Sequence, residues 1–126
     1  MISVKPDTCA PCPLYTTGKG WCPDKVAPRG ADYVLLGEAP GKNEIQKSEP
    51  FVGRAGHVLK YWLMHAVPML KLADEHGKVM YANTLRCLPP EFQGRAYPKG
   101  AEKLAAETCC RQYDQFGEAK TFVLFG

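Results

Sequence analysis

The stretch LLGEAPGKNEIQKSEPFVGRAG, residues 35–56, decides the fold that we expect for this chain. It starts within an apolar run at residues 33–36, which predicts a buried strand. A glycine-rich turn follows at residues 37–41, and a polar loop then leads through residues 50–53 to a predicted helix. A strand that ends in such a turn places backbone N–H groups at the carboxyl edge of a sheet, where open α/β folds put their binding sites. The turn lacks the GxGxxG and Lys-Ser/Thr patterns, which argues against a nucleotide cradle.

An aromatic side chain and two carboxylates share this loop system. Phe51 follows Pro50 and lies close to a glycine, and we expect its ring to be exposed. Glu38 and Glu44 belong to the same loops. A flat aromatic ring beside carboxylates and a glycine-rich turn suits a flat polar ligand, such as a nucleobase.

Helical spacing of apolar residues predicts a first helix over residues 54–66, which Pro68 ends or kinks. Trp62 lies on its apolar stripe, and we expect it in the core. The other predicted elements are a helical turn at 43–46, a strand over 79–85, a loop over 89–100, a helix over 101–113 and a strand over 121–125. This alternation predicts an α/β fold, a three-layer sandwich with a mostly parallel central sheet flanked by helices, truncated at the C-terminus.

Asn83 lies at or near the end of the second predicted strand. Asparagine is disfavoured in a strand interior. At the carboxyl end of a strand its amide can direct a donor and an acceptor into a site. An asparagine that caps the following loop is the alternative.

Composition restricts the class of protein. The chain has 126 residues, enough for one domain with a modest core. Sixteen Lys and Arg against thirteen Asp and Glu give a net charge of +3, which permits nucleic-acid binding without requiring it. No segment approaches the roughly 18 apolar residues of a membrane span, and the N-terminus lacks the apolar region of a signal peptide. We therefore expect a cytoplasmic protein that does not bind membranes.

Six cysteines without an export signal favour metal or redox chemistry over a disulfide framework. Cys9 and Cys12 have the C-x-x-C spacing that brings two thiolates to one metal. Zinc, an iron–sulfur cluster and a dithiol redox pair all use this spacing, although the flanking prolines disfavour the redox pair. In the second predicted helix, Cys109 lies on the core face and Cys110 lies off it, so Cys110 is the better ligand candidate.

Five segments, in this order, resemble the iron–sulfur uracil-DNA glycosylases, family 4 of that superfamily. They are Cys9-x-x-Cys12-Pro-Leu14, Gly37-Glu38-Ala39-Pro40-Gly41-x-x-Glu44, Pro50-Phe51-Val52-Gly53-Arg54-Ala55-Gly56, Asn83-x-x-Arg86-Cys87-x-Pro89-Pro90 and Cys110-Arg-x-Tyr113. Residues 19–23 are more similar to phage-type members, which are related to a phage DNA polymerase. The resemblance implies that residues 1–126 are the N-terminal portion of one glycosylase-like domain, with residues 1–30 as its cluster-binding loop.

The resemblance implies a structural [4Fe–4S] cluster on Cys9, Cys12, Cys87 and Cys110. Zinc on the same four cysteines is the alternative.

The implied reaction is hydrolysis of the N-glycosidic bond of deoxyuridine in DNA, for base excision repair, on a base flipped out of the stack. Phe51 would stack on the uracil and Asn83 would read its amide edge, with Gly37 also contacting the base. The helix N-terminus at Gly53, Arg54 and Gly56 would bind a DNA phosphate. The partner would be uracil-containing DNA, and we expect a monomer.

The implied catalytic positions are Glu38, Ala39 and Glu44. Ala39 stands where other branches of the superfamily place a water-activating Asp, and alanine cannot act as a base. Water would therefore be held by backbone groups with Glu38 or Glu44, and the reaction would depend on stabilising the departing uracil.

The family also carries a His-Pro-Ser type motif well downstream, which this chain does not contain. The resemblance therefore implies part of an active glycosylase. Two alternatives stay open: a non-catalytic cluster- or zinc-stabilised DNA-binding module of a phage replication protein, and a C-x-x-C thiol oxidoreductase.

Overall fold

The computed structural model describes residues 9–10, 12, 14–17, 19–88, 91–92, 95–96, 119 and 121–125. Within them the helices and strands are, in chain order, α1 (Leu14–Thr17), β1 (Tyr33–Gly37), α2 (Lys42–Lys47), α3 (Arg54–Ala66), α4 (Pro68–Glu75), β2 (Val79–Asn83), β3 (Glu91–Phe92), β4 (Arg95–Ala96) and β5 (Thr121–Leu124).

Three parallel strands form the central sheet, with β1 between β2 and β5. Tyr33 at the start of β1 pairs with Val79, and Gly37 at its end pairs with Asn83. Parallel strands in this register bring their carboxyl ends to one edge, so Gly37 and Asn83 lie side by side there. The predicted α/β fold with a parallel sheet is confirmed.

The side chains of the sheet alternate between its two faces, as the period of a strand requires. Leu35 of β1 belongs to a core cluster with Val79 and Tyr81 of β2, and α4 contributes Leu70 and Ala73 to the same cluster. On the other face lies a second cluster, made of Ala27, Val34, Met80 and Ala82. Every residue of β2 is buried, whereas β5 is largely exposed.

Helix α3 has the bounds that the apolar spacing predicts, but the prediction that Trp62 is a core residue was wrong. Its side chain is 68% exposed. The face of α3 towards the core instead carries Gly56, Lys60, Leu63 and Met64, at the spacing of one helix stripe. Lys60 places its ammonium 5.2 Å from the centroid of the Tyr81 ring. A lysine that covers apolar surface with its stem does not register as apolar in a sequence pattern.

The other helices depart from the prediction in length or were missed. Helix α2 extends the predicted turn to six residues. Pro68 does more than end α3, because it is the first residue of α4, a position where proline is favoured. Helix α1 was not predicted, and at four residues it is too short to show a period. The predicted helix over 101–113 lies outside the described residues.

The strand predictions need smaller corrections. Strand β2 ends at Asn83 and β5 ends at Leu124, earlier than predicted. The predicted loop over 89–100 contains a short antiparallel pair, in which Glu91 is opposite Ala96. Strands of two residues are too short to show alternation in a sequence.

The cysteine-rich N-terminal region, predicted as loop, is fixed along β2 and the residues that follow it. Lys25 and Tyr81 exchange backbone hydrogen bonds of 2.8 and 3.0 Å, and Trp21 forms an antiparallel bridge with Cys87. A buried ion pair joins the same segments, because Arg86 Nη2 lies 2.9 Å from Asp24 Oδ2. These contacts bring the N-terminal cysteines close to the end of β2.

No helix within the described part of the chain combines the length and apolar character needed to cross a membrane.

Candidate functional site

An open pocket of about 430 Å³ lies at the carboxyl edge of the sheet, where the glycine turn after β1, the end of β2 and the first turn of α3 meet. This volume is in the range of small-molecule sites, about 300–1,000 Å³. Every residue predicted for catalysis, base binding and phosphate binding lines it: Gly37, Glu38, Ala39, Glu44, Phe51, Gly53, Arg54, Gly56 and Asn83. The structure thus brings these residues together, while their roles stay predictions.

Asn83, the last residue of β2, lies against Gly37 of the neighbouring strand. A Cβ atom on Gly37 would be 2.5 Å from Asn83 Oδ1 and 3.3 Å from Phe51 Cζ. The backbone N–H of Thr84 donates to the Gly37 carbonyl at 2.8 Å, which fixes the two strand ends together. Only a glycine at position 37 lets the carboxamide and the aromatic ring approach the backbone this closely.

Phe51 is buried, at 8% exposure, so the expectation of an exposed ring was wrong. Its ring packs at centroid distances of 5.6 Å from Phe125 and 5.9 Å from Tyr81, and it still forms part of the pocket wall. Phe51 has a positive φ of 59°, which L-residues with bulky side chains rarely adopt. Its backbone packs on Gly56, where a Cβ would lie 2.7 Å from Phe51 Cα.

Glu44 directs its carboxylate at three backbone amides. Oε1 accepts a hydrogen bond from the N–H of Gly41 at 3.0 Å, and Oε2 accepts from Val52 at 3.0 Å and from Gly53. The bond from Gly41 belongs to a capping box at the start of α2. The carboxylate therefore joins the glycine turn to the segment that carries Phe51.

Glu38 and Ala39 differ in their surroundings. The side chain of Glu38 is exposed at the pocket, and its carbonyl accepts a hydrogen bond of 2.9 Å from the N–H of Leu85. Ala39 is partly buried and packs against the apolar cluster that contains Cys12 and Cys87. The turn therefore links the pocket to the cysteines.

The first turn of α3 opens onto the pocket. Its N-cap is Gly53, which has no side chain to accept a hydrogen bond, and Arg54 is exposed beside it. Helix N-termini attract anions because their first N–H groups lack intrahelical partners. One of the N–H groups at this end is not available to an anion, because the Gly53 N–H donates to Glu44.

The predicted ligands Cys9, Cys12 and Cys87 are all buried. A turn brings Cys12 N to 2.9 Å from Cys9 O, and Cys12 and Cys87 share one apolar cluster on which Trp21 packs. Among the described residues, no three His, Cys, Asp or Glu side chains are arranged to hold a metal ion. The fourth predicted ligand, Cys110, and its neighbour Cys109 lie outside the described residues.

Trp21 packs against the cluster that contains Cys12 and Cys87, and its indole Nε1 is buried with no hydrogen-bond partner in the described part of the chain. A buried N–H without a partner costs about 1–3 kcal/mol. Sulfur of a metal-bound thiolate or of a cluster accepts such a bond, so the surroundings of the three thiols fit a metal–sulfur group in their chemistry.

Cys22 is also buried but has a different environment. Burial, together with the negative charges of Glu44, Asp24 and Glu49, raises the pKa of its thiol to about 12. Metal binding and nucleophilic attack both need the thiolate. Cys22 therefore stays protonated near neutral pH.

Phe125, Asn43 and Leu59 line the pocket but were not predicted. Phe125 directly follows β5, so the rule that sites lie beyond the carboxyl ends of parallel strands identifies it. Asn43 and Leu59 lie on α2 and α3, and no sequence signal separates them from other helix residues.

The sequence profile of the uracil DNA glycosylase superfamily matches residues 23–126. Among individual proteins, the chain is similar to the type-4 uracil-DNA glycosylase of Archaeoglobus fulgidus, with 40% identity over 66% of this chain and 38% of that protein. The enzyme of the same name from Sulfurisphaera tokodaii is 31% identical over 66% of this chain and 35% of its own length. The one from Thermotoga maritima is 28% identical over 71% of this chain and 43% of its own length. The matched part of the chain thus corresponds to less than half of each of these relatives.

Proposed function

Because the chain belongs to the uracil DNA glycosylase superfamily, we propose that it carries the base-binding part of a DNA N-glycosylase. This enzyme would release uracil from DNA by hydrolysing the N-glycosidic bond, as a monomer acting in base excision repair. The observation that carries the proposal is the contact of Asn83 with Gly37 in a pocket that also contains Phe51. This arrangement offers an amide and an aromatic ring to one flat ligand.

Asn83 would select the base. Its carboxamide presents one acceptor and two donor hydrogens, which complement the N3–H and O4 of uracil. Cytosine has the reversed pattern at these positions. Its acceptor would face the Asn83 acceptor and its donor would face the Asn83 donor, so neither position would form a hydrogen bond. Each unsatisfied buried polar group costs about 1–3 kcal/mol, which is enough for strong discrimination.

Phe51 and Gly37 would shape the space for the flipped base. Stacking of a base on an aromatic ring contributes about 1–3 kcal/mol. Gly37 keeps the space open, because a side chain there would meet both Asn83 and Phe51.

Glu38 would help to hold the attacking water, since its side chain is exposed at the pocket and Ala39 beside it has no group that accepts a proton. The reaction would then depend chiefly on stabilising the departing uracil anion, for which Asn83 supplies a donor. Arg54 and the first turn of α3, from Gly53 to Gly56, would bind a DNA phosphate next to the extruded nucleotide. The Gly53 N–H itself donates to Glu44, so the phosphate would bind to Arg54 and to the N–H groups that follow Gly53.

We propose that Cys9, Cys12, Cys87 and Cys110 hold a [4Fe–4S] cluster, with zinc as the alternative. When bound, the group would supply a cross-link between the N-terminal region and the end of β2. Support comes from the burial of the three described thiols and from the unpartnered, buried indole N–H of Trp21, a residue that packs on the cluster with Cys12 and Cys87.

Uracil release from a labelled oligonucleotide with a single deoxyuridine tests the proposal, using anaerobically purified protein and otherwise identical deoxycytidine and thymidine strands. Release from the uracil strand alone is the expected result. Tight binding of uracil-containing DNA without release would favour the alternative of a non-catalytic DNA-binding module. Neither binding nor release would contradict both.

A further inference from the structure

We propose that Glu44 is a positioning residue, whose carboxylate sets the distance between the two walls of the pocket and the placement of Phe51. The inference rests on the proposed function for what the pocket binds. The geometry of the carboxylate stands without it.

The carboxylate connects two separate segments. Oε1 accepts from Gly41, which ends the turn after β1, and Oε2 accepts from Val52 and Gly53, which lead into α3. A carboxylate has about four lone-pair sites, and three are engaged by amides here. Hydrogen bonds to an ionised acceptor are also stronger than those between neutral groups. Glu44 is therefore a bridge between the segments that form the two sides of the pocket.

The chain is shaped around this carboxylate on both sides. A Cβ atom on Gly41 would lie 2.7 Å from Glu44 Oε1, and one on Gly53 would lie 2.9 Å from Oε2. Both distances are shorter than a normal Cβ contact, so a side chain at either position would displace the carboxylate. This close approach of the backbone from two sides indicates that the carboxylate has one defined position.

The bridge acts on Phe51 through its neighbours. Phe51 has the left-handed φ of 59°, a conformation that costs a bulky residue energy and persists only when the surroundings impose it. Glu44 holds the two residues that follow, Val52 and Gly53, while the backbone of Phe51 itself packs on Gly56. The ring is thereby directed to the pocket wall beside Gly37.

These contacts leave Glu44 poorly suited to accept a proton from water. Three of its lone-pair sites already accept from backbone N–H groups, and protonation would remove the charge that strengthens those bonds. Glu38 is the carboxylate of the loop system that is exposed at the pocket. We therefore assign positioning to Glu44 and contact with water to Glu38.

Nuclear magnetic resonance of the backbone amides tests the bridge directly. In Glu44→Gln, the amide nitrogen of the new side chain meets N–H donors, so the proton shifts of Gly41, Val52 and Gly53 should move upfield. Glu49→Gln is the matched control, because Glu49 lies on the same loop and its carboxylate pairs with Lys25 at the surface. Unchanged shifts of all three amides in Glu44→Gln would overturn the proposal. If Glu44→Gln does not fold, the same amides are compared in Glu44→Asp, which keeps the charge but has a shorter reach.

Kinetics test the consequence for substrate. We expect Glu44→Gln to raise KM for uracil-containing DNA by about 10–100-fold, the factor that corresponds to losing a hydrogen bond to a charged group. The decrease of the rate towards low pH should be the same as in the wild-type protein. A variant that loses only kcat, and whose rate no longer decreases towards low pH, would identify Glu44 as a base and overturn the proposal. If the wild-type protein releases no uracil, the proposed function fails, and the amide shifts still decide the role of Glu44.

Discussion

Asn83 Oδ1 lies 2.5 Å from the position that a Cβ atom would take on Gly37. The register of the parallel pair β1–β2 places these two residues opposite each other at the last rung of the ladder. The pocket therefore depends on the absence of a side chain at one strand end as much as on the amide at the other.

Gly37→Ala should displace the Asn83 carboxamide and reduce uracil binding by at least tenfold, because one hydrogen bond to a buried group corresponds to about that factor. Affinity for an oligonucleotide with a single deoxyuridine measures the effect. Gly30→Ala is the control. A Cβ there meets open space, although the φ of +83° strains any side chain. It should lower stability by about 1 kcal/mol and leave uracil binding intact. Equal uracil affinity in wild type and Gly37→Ala would contradict the assigned contact.

Asn83→Asp should weaken the preference for uracil over cytosine, since a carboxylate has no donor for uracil O4. The ratio of kcat/KM on deoxyuridine and deoxycytidine strands measures this preference. Asn43→Asp provides a matched control, because Asn43 also lines the pocket but lies on α2. Unchanged base selectivity in Asn83→Asp would remove Asn83 from base recognition.

The buried ion pair between Arg86 and Asp24 should contribute far more to stability than the surface pair in the same region. Its two side chains are 8% and 5% exposed. Asp24→Asn leaves a buried guanidinium without its counter-charge and should cost about 3–5 kcal/mol of unfolding free energy. Glu49→Gln breaks the exposed pair with Lys25 and should cost less than about 1 kcal/mol. Urea unfolding of both variants makes the comparison. Similar losses would show that the Arg86–Asp24 pair is not the stronger contact.

Stability should fall at alkaline pH because of Tyr81. Burial, and then its hydrogen bond to Asp74, raise the pKa of the Tyr81 hydroxyl above its usual value of 10.0. The folded state therefore holds this proton more tightly than the unfolded state. Its contribution is complete below about pH 10 and is lost as the pH rises further towards the folded pKa.

Urea unfolding between about pH 8 and pH 11 follows this loss. Tyr81→Phe should be less stable at neutral pH, by about 1.5–3 kcal/mol, and should depend less steeply on pH above 10. Tyr61→Phe is the control, because Tyr61 is 66% exposed. A variant Tyr81→Phe with the same alkaline slope as wild type would assign the effect to other groups.

Trp21→Phe should weaken the proposed cluster by removing an indole N–H that suits a sulfur acceptor. We expect the visible absorbance of the protein to decay about 2–10-fold faster in air, the factor of one hydrogen bond. Trp62→Phe is the matched control, since Trp62 is exposed on α3. Identical decay in both variants would mean that Trp21 makes no bond to the cluster, and a colourless wild-type protein would favour zinc.

Sequence reasoning identified many of the residues that line the pocket because the signals there are local. The Gly37–Gly41 turn and Asn83 lie at the carboxyl ends of two strands, and a parallel sheet places those ends at the same edge. The predicted bounds of the first helix agree with α3 because its apolar residues recur at helical spacing and Pro68 follows its end.

The errors arose where tertiary contacts, rather than the local sequence, determine which side chains are buried. Trp62 was expected in the core, but α3 uses Lys60 and Leu63 to face the sheet. Phe51 was expected at the surface because it lies in a loop, and its left-handed backbone instead turns the ring inward. Glu44 accepts from amides three, eight and nine residues away, and only the bond from Gly41, which belongs to a capping box, follows a local sequence pattern.

The pairing of Lys25 with Tyr81 has a consequence for behaviour in solution. In the described sheet β2 is an outer strand, and such strands present backbone groups on which other chains can add by β-pairing. The segment around Lys25 covers part of that edge. Because this segment covers the edge, any change that detaches it from β2 would leave the backbone groups around Tyr81 open to pairing with another chain.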